Sequence, residues 1–236
     1  MQSIEDKLIV ALDVDTFKDA EHFVKILSSK VKIFKVGSQL FTACGKEAVD
    51  MIGDKGARVF LDLKFHDIPN TVKAATAAAT NLSFPAVRME LPIFMITVHT
   101  IGGKQMLEAA VKGAEDKAAE LKIKRPFIVG VTILTSDSAG ANTTEMVLER
   151  AGWAKDAGLD GIVCSVFEAA AVRKACGKDF IIVTPGIRPK GTDAGDQKRV
   201  ATAAEALKAG ANFIVVGRPI LEAADPLLAV KKLSEL

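Results

Sequence analysis

Eight short apolar runs, each followed by a longer stretch of helical composition, constrain this chain more than any other feature. The runs are Leu8–Val14, Lys32–Gly37, Arg58–Phe65, Phe94–Thr100, Phe127–Leu134, Gly161–Val166, Phe180–Ile187 and Phe213–Ile220. They are rich in Val, Ile and Phe and scarcely alternate with polar residues, which is how strands read when both faces are covered. The intervening stretches are Phe17–Leu27, Glu47–Lys55, Thr71–Thr80, Lys104–Leu121, Glu145–Ala157, Glu168–Cys176, Thr202–Ala209 and Pro226–Leu233. Ala, Lys, Glu and Leu dominate them, and several stop near a glycine, such as Gly56, Gly158 and Gly210. Strict alternation of this kind implies a parallel sheet. Eight units in 236 residues predict a single-domain (β/α)8 TIM barrel over residues 1–236. The competing architecture is an open doubly wound sheet. Its glycine-rich G-x-G-x-x-G turn is missing after the first run, where Leu12-Asp13-Val14-Asp15-Thr16 stands instead.

Composition narrows the partners. With 31 basic against 29 acidic residues and no basic tract, the chain lacks the charge excess of a nucleic-acid binder. No apolar run reaches the roughly 18 residues that a membrane span needs. The three cysteines, Cys44, Cys164 and Cys176, are odd in number and have no C-x-x-C spacing, which suggests a reducing compartment without a disulfide framework. The stretch Met1–Asp6 has no signal-peptide pattern, so a cytoplasmic location is expected.

A barrel of this type places its active site at the C-terminal ends of its strands. Asp13, Lys35, Asp62 and Lys64 lie at that end of three consecutive runs. Charges in such apolar surroundings are expensive unless paired, so four together point to a site. On a regular strand, residues i and i+2 face the same way. Asp62 and Lys64 are therefore expected to project inward, with Leu61 and Leu63 turned to the helices. Asp67 follows just past the strand, and with Lys35 the four form an expected row of alternating charges. An ammonium held in such a row is a fixed positive charge and a positioned proton donor. Metal ligation by Asp62, His66 and Asp67 is the rival reading, and the ammonium of Lys64 among those ligands opposes it. His66 and His99 are equally compatible with structural roles.

The last two runs carry a different signal. Thr184-Pro185-Gly186-Ile187-Arg188-Pro189 ends one, and Val216-Gly217-Arg218-Pro219 ends the other. The loops after strands seven and eight form the usual phosphate site of this fold. Glycine lets backbone N–H groups approach the anion, and Arg218 offers a two-pronged fork to phosphate oxygens. Residues 190–199 are long for a connection that is typically about 2–6 residues, as lids often are. Gln197 within them is expected to close on the phosphate.

The stretch Asp62-Leu63-Lys64-Phe65-His66-Asp67-Ile68-Pro69-Asn70-Thr71 resembles the D-x-K-x-x-D-I-P-x-T signature of the orotidine 5'-phosphate decarboxylase family. Ala11-Leu12-Asp13, Lys35-Val36-Gly37, Leu134-Thr135-Ser136, the Thr184–Pro189 stretch, Ala194-Gly195-Asp196-Gln197 and Val216–Pro219 extend the resemblance, in order, over nearly the whole chain. The resemblance implies conversion of orotidine 5'-phosphate to UMP and CO2, the last step of de novo pyrimidine synthesis, with neither cofactor nor metal. It implies that Lys64 protonates C6 of the pyrimidine, that Asp62 lies near the departing carboxylate, and that Lys35 and Asp67 complete the array. Asp13 and Lys35 would hold the ribose hydroxyls, and Thr135 would lie by the pyrimidine. Gln197, Gly217 and Arg218, with Arg188, would take the phosphate. It further implies a homodimer in which Asp67, Ile68 and Thr71 reach into the partner's site. Residues 81–92 depart from the family pattern and, with two prolines, are expected to form a bulging loop at the barrel's N-terminal end.

Two other functions fit parts of the pattern. Barrels that decarboxylate or cleave sugar phosphates with a metal ion share D-x-K-x-x-D, but not the Asp67–Thr71 and Ile187–Pro189 stretches. A non-catalytic nucleotide sensor would have no need of the Asp62–Lys64–Asp67 array.

Overall fold

The computed structural model describes residues 4–82, 93–134, 140, 142–188 and 200–234. Eight parallel strands close on themselves in chain order: β1 (Leu8–Ala11), β2 (Ile33–Gly37), β3 (Arg58–Phe65), β4 (Ile93–His99), β5 (Phe127–Val131), β6 (Gly161–Val163), β7 (Ile181–Thr184) and β8 (Phe213–Val216). The ring is sealed where Leu8 pairs with Ile214 and Val10 with Val216. This is the expected (β/α)8 barrel.

The near-continuous apolar runs follow from burial on both faces. Leu8, Val10, Phe34, Leu61 and Ile96 pack outward against the helices. Ile9, Ile33, Phe60, Met95, Val129, Val183 and Val215 fill the barrel interior. At the N-terminal mouth Phe94 makes edge-to-face contacts with Phe127 and Phe213, each at 5.4 Å between ring centroids, and the Arg58 guanidinium lies 4.2 Å over the Phe94 ring. These rings close that end of the barrel.

The helices are α1 (Phe17–Leu27), α2 (Ser38–Cys44), α3 (Lys46–Asp54), α4 (Pro69–Asn81), α5 (Gly103–Leu121), α6 (Thr143–Asp156), α7 (Val166–Cys176), α8 (Ala203–Lys208), α9 (Arg218–Leu221) and α10 (Pro226–Ser234). Among the described residues α2 and α9 are additional to the eight helices expected. Gly45, at φ 57°, separates α2 from α3 in a conformation that a side chain would oppose. The eighth run does not stay extended to Ile220, since the chain leaves the sheet at Gly217 and enters α9. The first run likewise leaves the sheet after Ala11, although Leu12 is fully buried. Of the atypical stretch 81–92, Asn81 still belongs to α4 and Leu82 caps it, while residues 83–92, like the expected lid 190–199, lie outside the described residues.

Candidate active site

A cavity of about 550 Å³ opens at the C-terminal ends of the strands. That is within the usual range for a small-molecule site. Its polar lining falls into two groups. Asp13, Lys35, Gln39, Asp62 and Lys64 come from the first three βα units, and Gly186, Arg188, Gly217, Arg218 and Glu222 come from the last two. Phe60, Val131, Ile133 and Val163 lie between and below them.

The charged group is tightly connected. Lys35 Nζ donates to Asp13 Oδ1 at 2.8 Å and stands 3.6 Å from Asp62 Oδ2. Lys64 Nζ donates to the same Asp62 oxygen at 2.9 Å. Asp62 Oδ1 accepts from the Thr97 hydroxyl at 3.0 Å. Burial by itself pushes the Asp62 carboxyl up. The Lys35 and Lys64 ammoniums and the hydrogen bonds from Lys64 and Thr97 outweigh it and hold the carboxyl below the usual carboxylate range. Asp62 and Lys35 are buried, whereas Lys64 faces the cavity with 37% of its side chain exposed.

Lys64 and Asp62 share the interior as expected, but a regular pleat is not the reason. Leu61 pairs with Ile96 and Phe65 with Val98, so Asp62, Leu63 and Lys64 face the single residue Thr97 of β4. The strand bulges there, and Lys64 adopts φ 52°. A left-handed conformation at a residue with a side chain costs about 1–3 kcal/mol, and such strain concentrates at working sites.

Asp67 does not join the row within one chain. Its Oδ1 accepts from the Ile68 N–H at 2.6 Å. Past Phe65 the chain turns away into α4, which leaves Asp67, Ile68 and Thr71 exposed and outside the cavity lining. His66 is exposed, its ring 5.8 Å from that of His99. Thr135 and Gln197 lie outside the described residues.

The second group is fixed by the stems of the 189–199 connection. The Arg188 N–H donates to Ala201 O at 2.9 Å and the Ala201 N–H to Gly186 O at 3.2 Å, which clamps the two stems together beside the cavity. Gly186 sits at φ 76°, where a side chain would strain the turn. Gly217 lies over Ala11 and Asp13, so the two polar groups meet across the junction of β8 and β1.

Sequence reasoning missed Gln39, Glu222 and Thr97. Gln39 lies on α2 and donates to Asp15 Oδ1 at 2.6 Å. Thr97 looked like an ordinary strand residue, since threonine favours strands.

The family model described as orotidine 5'-phosphate decarboxylase / HUMPS family matches residues 6–233. The chain is 47% identical to the orotidine 5'-phosphate decarboxylase of Moorella thermoacetica, over 98% of this chain and 91% of that one. It is 46% identical to that of Syntrophotalea carbinolica, over 97% and 93% respectively. The crystal structure of orotidine 5'-phosphate decarboxylase from Lactobacillus acidophilus is similar to it with a TM-score of 0.78 at 35% identity, covering 98% of each chain. That of an uncharacterized conserved protein from Geobacillus kaustophilus matches with a TM-score of 0.80 at 33% identity, covering 97% of this chain and 98% of that one.

Proposed function

The chain belongs to the orotidine 5'-phosphate decarboxylase / HUMPS family, and from that premise we propose that it converts orotidine 5'-phosphate to UMP and CO2, with Lys64 delivering the proton to C6 and with no cofactor. The observation that carries the reading is the Lys35–Asp62–Lys64 array in the cavity, opposite the Arg188–Gly217–Arg218 rim.

The nucleotide spans the cavity. Its phosphate meets Arg218 and Arg188, with Gly217 permitting close approach and Gln197 closing from the loop. Asp13 and Lys35 take the ribose hydroxyls, and Thr135 lies by the ring. The C6 carboxylate then sits beside Asp62. The C6–carboxyl bond breaks and its electron pair stays on C6, where the ring delocalises it poorly. The Lys64 ammonium stabilises that charge, and a proton passes from Nζ to C6 as CO2 departs. Water later returns a proton to the amine. The charges need not reorganise during the step, because Asp62 already holds Lys64 at 2.9 Å. Enzymatic accelerations reach about 10¹⁷-fold, or roughly 23 kcal/mol. One ammonium supplies only part of such a figure, and phosphate binding, remote from the reacting bond, contributes by closing and drying the site.

Both Asp62 oxygens are engaged by Lys64, Lys35 and Thr97, which supports a reaction run without a metal at this carboxylate. The exposed Ile68 and Ile101, 65% and 48% accessible at the ends of β3 and β4, support a homodimer that brings Asp67, Ile68 and Thr71 to the partner's cavity. Among the described residues no helix is long and apolar enough to cross a membrane.

The test is the fall in ultraviolet absorbance of orotidine 5'-phosphate in EDTA, with UMP identified as the product. Lys64→Ala is expected to remain folded and to lose turnover. Near-wild-type rates in that variant would remove the proton-donor role. Inactivity on the nucleotide, with Mg2+-dependent turnover of a sugar phosphate, would overturn the reading altogether.

A further inference from the structure

We propose that Thr97 is a positioning residue of the decarboxylase, whose single hydroxyl sets both the backbone of Lys64 and the rotation of the Asp62 carboxylate. The inference rests on the role proposed above for Lys64.

Where β3 bulges, three residues face one, and the regular ladder between β3 and β4 is interrupted. The Lys64 N–H falls within this interruption. It donates to Thr97 Oγ1 at 2.8 Å, so a side chain stands in for the ladder at this point. A hydroxyl carries one proton and two lone pairs. With a lone pair occupied by the Lys64 N–H, the proton goes to Asp62 Oδ1 at 3.0 Å, because an ionised carboxylate only accepts. The direction of both bonds is thereby fixed.

The consequence for Asp62 is a division of labour between its oxygens. Oδ1 is held by Thr97, which leaves Oδ2 for Lys64 at 2.9 Å and Lys35 at 3.6 Å. Without the Thr97 hydroxyl the carboxylate is free to turn about its last bond, and both ammoniums lose a fixed counter-charge. Lys64 loses its backbone anchor in the same event, and its left-handed conformation at φ 52° is what aims its side chain into the cavity. Thr97 is fully buried and does not line the cavity, so it acts only through Lys64 and Asp62.

Thr97→Val keeps the shape and removes both hydrogen bonds, whereas Thr97→Ser keeps the hydroxyl and removes a methyl group. A positioning role and a packing role rank the two oppositely. For a positioning role, the valine variant loses kcat by about 10- to 100-fold, the scale of a catalytic group misplaced by about 1 Å. Its KM for orotidine 5'-phosphate stays within a few-fold of wild type, and serine recovers most of the rate. The acid limb of its kcat/KM profile also moves to higher pH, because Asp62 loses one of the hydrogen bonds that favour its ionised form. A valine variant with wild-type kcat, or a serine variant slower than the valine one, would overturn the inference. Lys64→Ala is measured alongside. If it is inactive while Thr97→Val is fully active, only the role of Thr97 falls. If Lys64→Ala is itself active, the underlying proton-donor reading has failed.

Discussion

Replacing Gly37 with alanine should separate activity from stability, because the new methyl meets a functional group and not the backbone. Gly37 ends β2 at φ −93° and ψ −177°, a conformation open to any residue. An alanine Cβ there would stand 2.9 Å from Lys35 Nζ and 3.4 Å from Asp13 Oδ1. Comfortable contact begins near 3.5 Å, so the ammonium must retreat by roughly 0.6 Å. It sits at the end of a flexible chain, and the retreat is cheap for the fold. The site is less tolerant, because Lys35 bridges Asp13 at 2.8 Å and Asp62 at 3.6 Å. A displacement of about 1 Å can reduce rates by 10²-fold, so the shift here is expected to lower kcat/KM by roughly 10-fold, or about 1.4 kcal/mol. Folding should move the other way, since alanine at a permitted glycine site stabilises by about 0.4–1 kcal/mol through the unfolded chain. Steady-state kinetics and thermal melting on one preparation test both halves. An unchanged kcat/KM would show that Lys35 tolerates the displacement, and a lowered Tm would show that the backbone has absorbed the clash. Either result refutes the reasoning.

Three further outcomes are expected. Arg218→Ala should raise KM by about 10- to 100-fold, the scale of losing a charge-assisted hydrogen bond of roughly 1.5–3 kcal/mol, and an unchanged KM would take Arg218 out of the phosphate site. The Asp62 carboxyl, depressed in the folded protein, contributes stability that is complete above the unfolded value near pH 4 and is lost as pH falls through the lower folded value. The stability difference between wild type and Asp62→Asn should thus be constant above about pH 5 and shrink below about pH 4, as denaturation at stepped pH would show, and a difference that shrinks already near neutrality would contradict that cause. Finally, Arg173 donates to the carbonyls of Gly177, Phe180 and Gly210 and to Asn212 Oδ1, so Arg173→Ala should cost about 2–4 kcal/mol in denaturant unfolding while leaving KM unchanged.

The barrel was legible because strands buried on both faces spell themselves as apolar runs, and each of β1 to β8 falls within one except β4, which begins one residue early at Ile93. The C-terminal ends of β2 and β3 were legible, at Gly37 and Phe65, but those of other strands were not. Hydrophobicity reports burial and not sheet hydrogen bonding, so Leu12 stayed in the first run after the strand had ended, and Ile220 in the eighth although it belongs to α9. Lys35, Asp62 and Lys64 stood out because charge is costly in such surroundings. The bulge that aims Lys64 did not, since a residue with a side chain gives no local signal of φ 52°. Thr97 was hidden for a related reason: its hydroxyl acts through Asp62 and Lys64, two residues on another strand. Asp67, Ile68 and Thr71 were recognised by their motif, and the contact implied for them belongs to a second chain.

The aromatic rings beneath the barrel have a consequence for traffic. With Phe94, Phe127 and Phe213 across the far end and Phe60, Met95 and Val129 packed above them, the cavity is a cul-de-sac. Among the described residues, traffic is therefore confined to the C-terminal side of the barrel. On the mechanism proposed above, CO2, the nucleotide and the water that restores the Lys64 proton would all travel on the open side of the cavity, where the Lys64 side chain is 37% exposed. On that mechanism each turnover would be serial, with the enzyme reset only when that side of the cavity clears.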